Sequence, residues 1–147
     1  MLMMRFPALQ RLACSVVAIL LAGCSILPPP DGIQVTIPAA LEVPALPVTI
    51  VDNAGIVRDA APADDAPSDL SSTSIEAIPG RDDAIRVAWI GGQCADRAVV
   101  TVDPIENRYR VDVDEHSSSM ACSTAGLRRS IVLELIEPVG ADGFGTY

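Results

Sequence analysis

The sequence has 147 residues with ten arginines, no lysine and nineteen acidic residues, and its net charge is −9 at pH 7. This length fits one domain of ordinary size. A chain this acidic lacks the clustered cations that phosphate contacts require, so we expect no binding to nucleic acid. Its negative charge is also repelled by anionic lipid headgroups, so attachment to a membrane would need an anchor.

The N-terminal residues have the pattern of a secretory signal. Arg5 and Arg11 make a positively charged segment, which is followed by an apolar run at residues 12–22. A helix of that length reaches about 16 Å, which is well short of the roughly 30 Å hydrocarbon core of a bilayer. The run therefore predicts the apolar core of a signal peptide and not a transmembrane helix.

The apolar run ends in Leu21-Ala22-Gly23-Cys24, which resembles the lipobox of bacterial lipoproteins at every position. The resemblance implies that the Cys24 thiol receives a diacylglyceryl group and that residues 1–23 are removed as a lipoprotein signal peptide. Two acyl chains on one residue anchor a protein stably, whereas a single chain binds a membrane only marginally. We therefore expect the lipid bilayer as a partner, through acylated Cys24.

The expected location is the outer face of the cytoplasmic membrane, or the outer membrane if the source has two membranes. The absence of lysine and the abundance of Ala, Val, Gly and Asp indicate a GC-rich genome, which favours a Gram-positive source.

Residues 24–46 predict a lipidated, proline-rich tether, because prolines at this density favour extended backbone and exclude a helix or a central strand. Simple disorder is the alternative, and it would make the same segment a linker. Residues 47–147 then form the folded domain, which opens with a strand, a turn and a strand over residues 47–58. Residues 59–74, rich in Ala, Pro, Asp and Ser, predict an acidic, disordered insert.

The last third of the chain carries most of the β signal. Alternation of apolar and polar residues predicts strands at residues 85–90, 97–103, 107–114 and 130–136. The alternation is cleanest where Tyr109, Val111 and Val113 share one face of a strand and charged residues share the other. We expect an all-β domain, a small antiparallel β-sandwich or meander of four to six strands.

The cysteines predict one disulfide. Cys14 leaves with the signal peptide and Cys24 is the lipid site, which leaves Cys94 and Cys122 as a pair in an oxidising compartment. A bond between them closes a loop of about 29 residues, worth roughly 3 to 4 kcal/mol on the chain-entropy model. No Cys/His cluster accompanies either thiol, so the pattern does not favour a metal site.

A second resemblance covers residues 47–140. The segment from Trp89 to Cys94 has the pattern Trp-x-Gly-Gly-x-Cys, and the segment from Cys122 to Arg129 has the pattern Cys-x-x-x-Gly-x-x-Arg before a terminal strand. Together they resemble small uncharacterised lipoproteins of high-GC Gram-positive bacteria. The resemblance implies that residues 47–58 belong to the domain, and it implies no activity.

Nothing in the sequence predicts catalysis or a cofactor. The single histidine, His116, precedes three serines, but no Gly-x-Ser-x-Gly motif is present. Asp112, Asp114 and His116 recur at every second position and could share a divalent cation. Outward charges on an edge strand also prevent sheets from aggregating, and this is the interpretation that we favour, so no metal is expected.

The remaining candidates are aromatic and cationic. Trp89 is expected to pack in the core over the disulfide. If it were exposed, it would form a contact site for a partner together with Arg97, Arg128 and Arg129, although these arginines could equally pair with nearby acids. We expect a non-enzymatic interaction or envelope-accessory module with an unknown envelope protein or small ligand as partner. The alternative is a ligand- or cation-binding domain at the membrane surface that serves a transporter or sensor.

Overall fold

β-Strands dominate the part of the chain that this computed structural model describes, which comprises residues 31–40, 43–64, 66–118 and 126–146. The described residues form β1 (Ile33–Ile37), β2 (Leu46–Asp52), β3 (Val57–Pro62), β4 (Ser74–Ile78), β5 (Arg81–Gly92), β6 (Arg97–Ile105), β7 (Arg108–His116), β8 (Gly126–Leu135) and β9 (Phe144–Gly145), with a 3₁₀ turn (Ala141–Gly143) before β9. The all-β prediction is confirmed. The expected four to six strands were too few, because the described residues contain nine.

The strands form two sheets. One has five strands in the order β1-β2-β6-β7-β9, and the other has four in the order β3-β8-β5-β4. Most neighbouring strands are antiparallel, whereas β2 with β6 and β7 with β9 are parallel. In the described residues no helix is long and apolar enough to cross a bilayer.

One hydrophobic core lies between the two sheets. The five-stranded sheet contributes Val48, Ile50, Val100, Val102 and Val111, and the four-stranded sheet contributes Ile85, Val87, Ile131, Leu133 and Leu135, all of which are almost fully buried. Burying such a side chain stabilises the fold by about 1.5–3 kcal/mol. The two sheets, with the core between them, therefore form a β-sandwich, which is one of the two arrangements that the sequence predicted.

The structure differs from the predicted tether over its second half. β1 lies within residues 24–46, and it pairs antiparallel with β2. Its apolar residues alternate with Gln34 and Thr36, and Val35 is only 8% exposed because it packs into the core. Prolines flank this short alternation. Because prolines favour extended linkers, the sequence predicted a tether here and not a strand. Cys24 and the rest of the tether up to residue 30 lie outside the described residues.

The predicted disordered insert at residues 59–74 also contains strand residues. β3 pairs antiparallel with β8 up to Pro62, and β4 begins at Ser74. A proline is tolerated here because β3 is an edge strand, where a missing N–H breaks no ladder bond. The chain between the two strands is thus shorter than expected.

The predicted strand, turn and strand at residues 47–58 is present, but its strands belong to different sheets. Asp52 forms the turn: its Oδ1 accepts hydrogen bonds from the N–H groups of Ala54 and Gly55, and its Oδ2 accepts one from Val57. β2 pairs with β6 and β3 pairs with β8. This segment is therefore an integral part of the domain.

Candidate functional site

Three inward-facing polar or aromatic side chains meet at the end of the sandwich where β5 turns into β6. Trp89 on β5 and Arg129 on β8 are register partners in the four-stranded sheet, and Glu115 reaches them from β7 in the other sheet. Trp89 is 2% exposed, and the side chains of Arg129 and Glu115 are 5% and 15% exposed. We refer to these three residues as the Trp–Glu–Arg cluster.

The Glu115 carboxylate is the centre of this cluster. Its Oε1 accepts a hydrogen bond of 2.7 Å from Trp89 Nε1, and its Oε2 accepts one of 2.8 Å from the Gly92 N–H. Arg129 Nε lies 3.5 Å from Glu115 Oε1, and Arg129 Nη2 donates a 2.8 Å hydrogen bond to the Gly92 carbonyl oxygen. The Glu115–Arg129 ion pair thus binds both the N–H and the C=O group of Gly92.

Gly91 is where this arrangement requires glycine. A Cβ atom built on Gly91 would collide with the Glu115 carboxylate. The close approach of the carboxylate to the β5 backbone is possible only because no side chain stands at this position. Gly91 therefore leaves room for the cluster, whereas Gly92 contributes its backbone N–H and C=O groups to it.

The turn that follows is fastened to β7 and the residues after it. The Asp96 N–H donates to the His116 carbonyl oxygen at 2.9 Å, and Asp96 Oδ2 accepts a 2.9 Å hydrogen bond from the Ser118 N–H. Hydrogen bonding with Ser118, and then the nearby charge of Arg97, lower the pKa of Asp96 below its ordinary value. The turn is thereby held to the end of β7 and to the chain that follows it.

The chemistry of the cluster is that of a structural clamp. Both Glu115 oxygens accept N–H groups of the protein, and the nearest cation is the buried Arg129 guanidinium. Charge-assisted hydrogen bonds of this kind are stronger than neutral ones.

Two surface grooves of about 380 and 590 Å³ lie at the other end of the sandwich, next to the β6–β7 and β4–β5 hairpins.

The structure does not bring the four predicted contact residues to one surface. Trp89 is buried, as the core interpretation expected, and Arg129 is buried beside it. Arg97 at the start of β6 and Arg128 on β8 are exposed, and they belong to different sheets. A shared contact surface of all four residues is therefore not formed.

The three candidate metal ligands lie along the outer side of β7. Asp112 and Asp114 are exposed, and His116 Nε2 is 3.3 Å from Asp114 Oδ2. Within the described part of the chain, no group of three His, Cys, Asp or Glu residues could hold a metal ion.

The lipid site and one cysteine of the predicted disulfide, Cys24 and Cys122, lie outside the described residues, so both features stay predictions. Cys94 is half-buried in the turn after β5. Gly92 at the end of β5 is opposite Gly126 at the start of β8. Cys94 follows Gly92 by two positions, and Cys122 precedes Gly126 by four.

Glu115 is the member of the Trp–Glu–Arg cluster that the sequence prediction missed. The predicted strand ended at residue 114, whereas β7 continues to His116. The signal was the alternation itself, since Glu115 has the same inward parity as Val111 and Val113.

No family model, curated protein or solved structure matches the chain, and the resemblance to small lipoproteins stays a prediction.

Proposed function

We propose that this chain is a membrane-anchored extracytoplasmic lipoprotein that acts as a non-catalytic interaction or envelope-accessory module. The observation that carries the proposal is the distance in sequence between the Leu21-Ala22-Gly23-Cys24 box and the first strand. Ile33, where β1 begins, is nine residues after Cys24. Nine residues span at most about 30 Å, so acylation of Cys24 would keep the sandwich close to the bilayer.

The topology supports an outward-facing role for the Gly91–Gly92 turn. β1 is antiparallel to β2, and Ile33 is opposite Ile50 near the end of β2. β2 runs parallel to β6, which begins at the turn. The anchored chain therefore enters the domain from the direction opposite to the turn, and an anchor at Cys24 would direct the turn away from the membrane.

The charge of the chain supports a protein partner over a lipid surface. From Cys24 onward it carries eight arginines and nineteen acidic residues, a net charge of −11. Such a domain is repelled by anionic headgroups, and its attachment would depend on the acyl chains. The proposed partner is an envelope protein at the outer face of the cytoplasmic membrane, or at the outer membrane in a cell that has two.

The internal contacts of the Trp–Glu–Arg cluster support a non-catalytic role. A general base needs a free lone pair within reach of its substrate. The Glu115 carboxylate instead binds the backbone and side chains of the protein itself. The cluster makes the turn rigid, and a rigid end suits recognition because little entropy is lost on binding.

The test is metabolic labelling with a fatty acid analogue, followed by separation of membranes. The native chain should carry the label and remain with the membranes. Cys24→Ser should lose both, because the thiol is the acceptor of the lipid. Cys14→Ser is the matched control: it changes a thiol of the same segment and should keep the label. Label that persists in Cys24→Ser would refute the proposal.

A further inference from the structure

β7 has a long stretch of edge without a neighbouring strand. One side pairs with β6 from Arg108 to His116, whereas the other pairs with β9 only at Tyr109 and Arg110. Among the described residues, no strand lies beside residues 111–116 on that side. On such an edge, backbone N–H and C=O groups can pair with an added strand. The Val113 N–H already donates a 3.1 Å hydrogen bond to Asp112 Oδ1, so an added strand would compete with that contact at one position.

The other side of the sandwich is better covered. There the edge strands of the two sheets, β1 and β3, contact each other. The β7 edge has only the two-residue β9 as its companion, at the end that is farthest from the Gly91–Gly92 turn. The uncovered residues 111–116 therefore lie on the half of β7 that leads to the turn.

The exposed side chains along this edge carry negative charge that the sheet does not neutralise. Asp112 and Asp114 are exposed, and their register partners on β6 are the uncharged Thr101 and Val99. Among the described residues, no arginine lies within ion-pair distance of either carboxylate. Asp112 Oδ1 accepts a 3.1 Å hydrogen bond from the Val113 N–H, and Asp114 Oδ2 lies 3.3 Å from His116 Nε2. Elsewhere on the same face, Asp103 has Arg110 as its partner at 2.7 Å.

We infer that residues 111–116 accept an extended strand of a protein partner in which arginine or lysine alternates with apolar residues. The inference rests on the proposed role as an interaction module and identifies the chemistry of its partner. Backbone hydrogen bonds supply affinity in this mode, and the side chains at alternate positions supply specificity. Cationic residues pair with Asp112 and Asp114, and apolar ones extend the inner face beside half-buried Val113.

The same charges explain why this edge does not select a second copy of itself. Two copies of residues 111–116 would bring aspartates close together, and like charges on neighbouring strands are destabilising. A strand that carries basic residues would instead bring opposite charges together. The aspartates therefore weaken pairing with a second copy and strengthen pairing with a basic strand, and the difference between these two affinities gives the edge its specificity.

The test uses the full-length chain in detergent micelles and two seven-residue synthetic peptides. One alternates arginine with valine, and the other alternates glutamate with valine, so that both favour a strand equally. Hydrogen exchange should show protection of amides within residues 111–116 by the arginine peptide. We expect its affinity to exceed that of the glutamate peptide by about tenfold at low salt.

Charge reversal makes the test specific. Asp112→Arg with Asp114→Arg should invert the preference between the peptides. The matched control is Asp59→Arg with Asp82→Arg, which makes the same change at exposed positions of the other sheet and should keep the preference for arginine. If the first variant does not fold, Asp112→Asn with Asp114→Asn should abolish the preference.

Equal affinity for the two peptides would overturn the inference. Protection at β1 or β4 instead of β7, or a preference that charge reversal leaves unchanged, would do the same. These failures are distinct from failure of the proposed function. Acylated Cys24 with no peptide bound at β7 would refute only this inference, whereas binding at β7 without acylation would support it and refute the lipid anchor.

Discussion

Removal of the Glu115 side chain is the most direct test of the Trp–Glu–Arg cluster. Glu115→Ala would leave the Arg129 guanidinium buried without its counter-charge. It would also remove the acceptor for Trp89 Nε1–H and for the Gly92 N–H. The change therefore affects one ion pair and two hydrogen bonds at once.

The contacts allow the cost to be worked out. A buried donor that loses its acceptor costs about 1–3 kcal/mol, and removal of one partner from a buried ion pair costs about 3–5 kcal/mol. These costs overlap because one carboxylate serves all three donors, so we expect a loss of about 3–5 kcal/mol for Glu115→Ala. That is a large fraction of the roughly 5–15 kcal/mol by which domains are stable.

Urea unfolding followed by fluorescence measures this loss directly, because Trp89 is the single tryptophan and belongs to the cluster. The matched control is Asp114→Ala, which removes a carboxylate from the preceding residue of the same strand. The Asp114 side chain is 70% exposed, so we expect a change within about 0.5 kcal/mol. The double variant Glu115→Ala with Arg129→Leu should recover part of the loss, since it also removes the unpaired charge.

The reasoning would be refuted if Glu115→Ala and Asp114→Ala had equal effects on the free energy of unfolding. A double variant less stable than Glu115→Ala alone would also count against it, because Arg129 would then stabilise the fold without Glu115.

Two further predictions concern the disulfide and acid stability. Cys94→Ser and Cys122→Ser should each lower the thermal midpoint by several degrees, as should a reductant, because a crosslink of this loop is worth about 3–4 kcal/mol; an unchanged midpoint in reductant would contradict it. Hydrogen bonds from Arg110 and then Asn53 lower the pKa of Asp103 below its ordinary value. Because the folded pKa is the lower one, this stabilisation is present above about pH 4 and is lost as the pH falls further. The stability difference between the native chain and Asp103→Asn should therefore shrink in acid, and a constant difference would contradict the assignment.

The sequence predicted best the strands with a regular two-residue period. In β7 the apolar residues Tyr109, Val111 and Val113 alternate with charged ones. Over residues 111–114 the structure has the matching alternation, with Val111 buried, Val113 half-buried and both aspartates exposed. The strands β5, β6 and β8 were likewise expected, although each is longer than predicted. Local alternation suffices here because one face of each strand lies on the core.

Other elements could not be predicted because distant contacts stabilise them. β3 begins within the predicted strand at residues 57–58, but its continuation through Asp59, two alanines and Pro62 has a composition typical of a loop and becomes strand by pairing with β8. β1 is five residues long and depends on β2 for its hydrogen bonds. Strand propensity is more context-dependent than helix propensity, so such segments are decided by their neighbours.

The candidate site was accessible to sequence reasoning in its parts but not as a whole. Trp89 follows Val87 at inward parity, Glu115 follows Val113, and Arg129 precedes Ile131 in the same way. An inward carboxylate and an inward guanidinium each carry a large desolvation cost, so each indicates that a partner of opposite charge lies nearby. Alternation cannot show that β7 lies across the core from β5 and β8, since that depends on the folding of the two sheets. Once the sandwich is known, the three side chains explain one another, and the glycine at position 91 follows from the space that the Glu115 carboxylate needs.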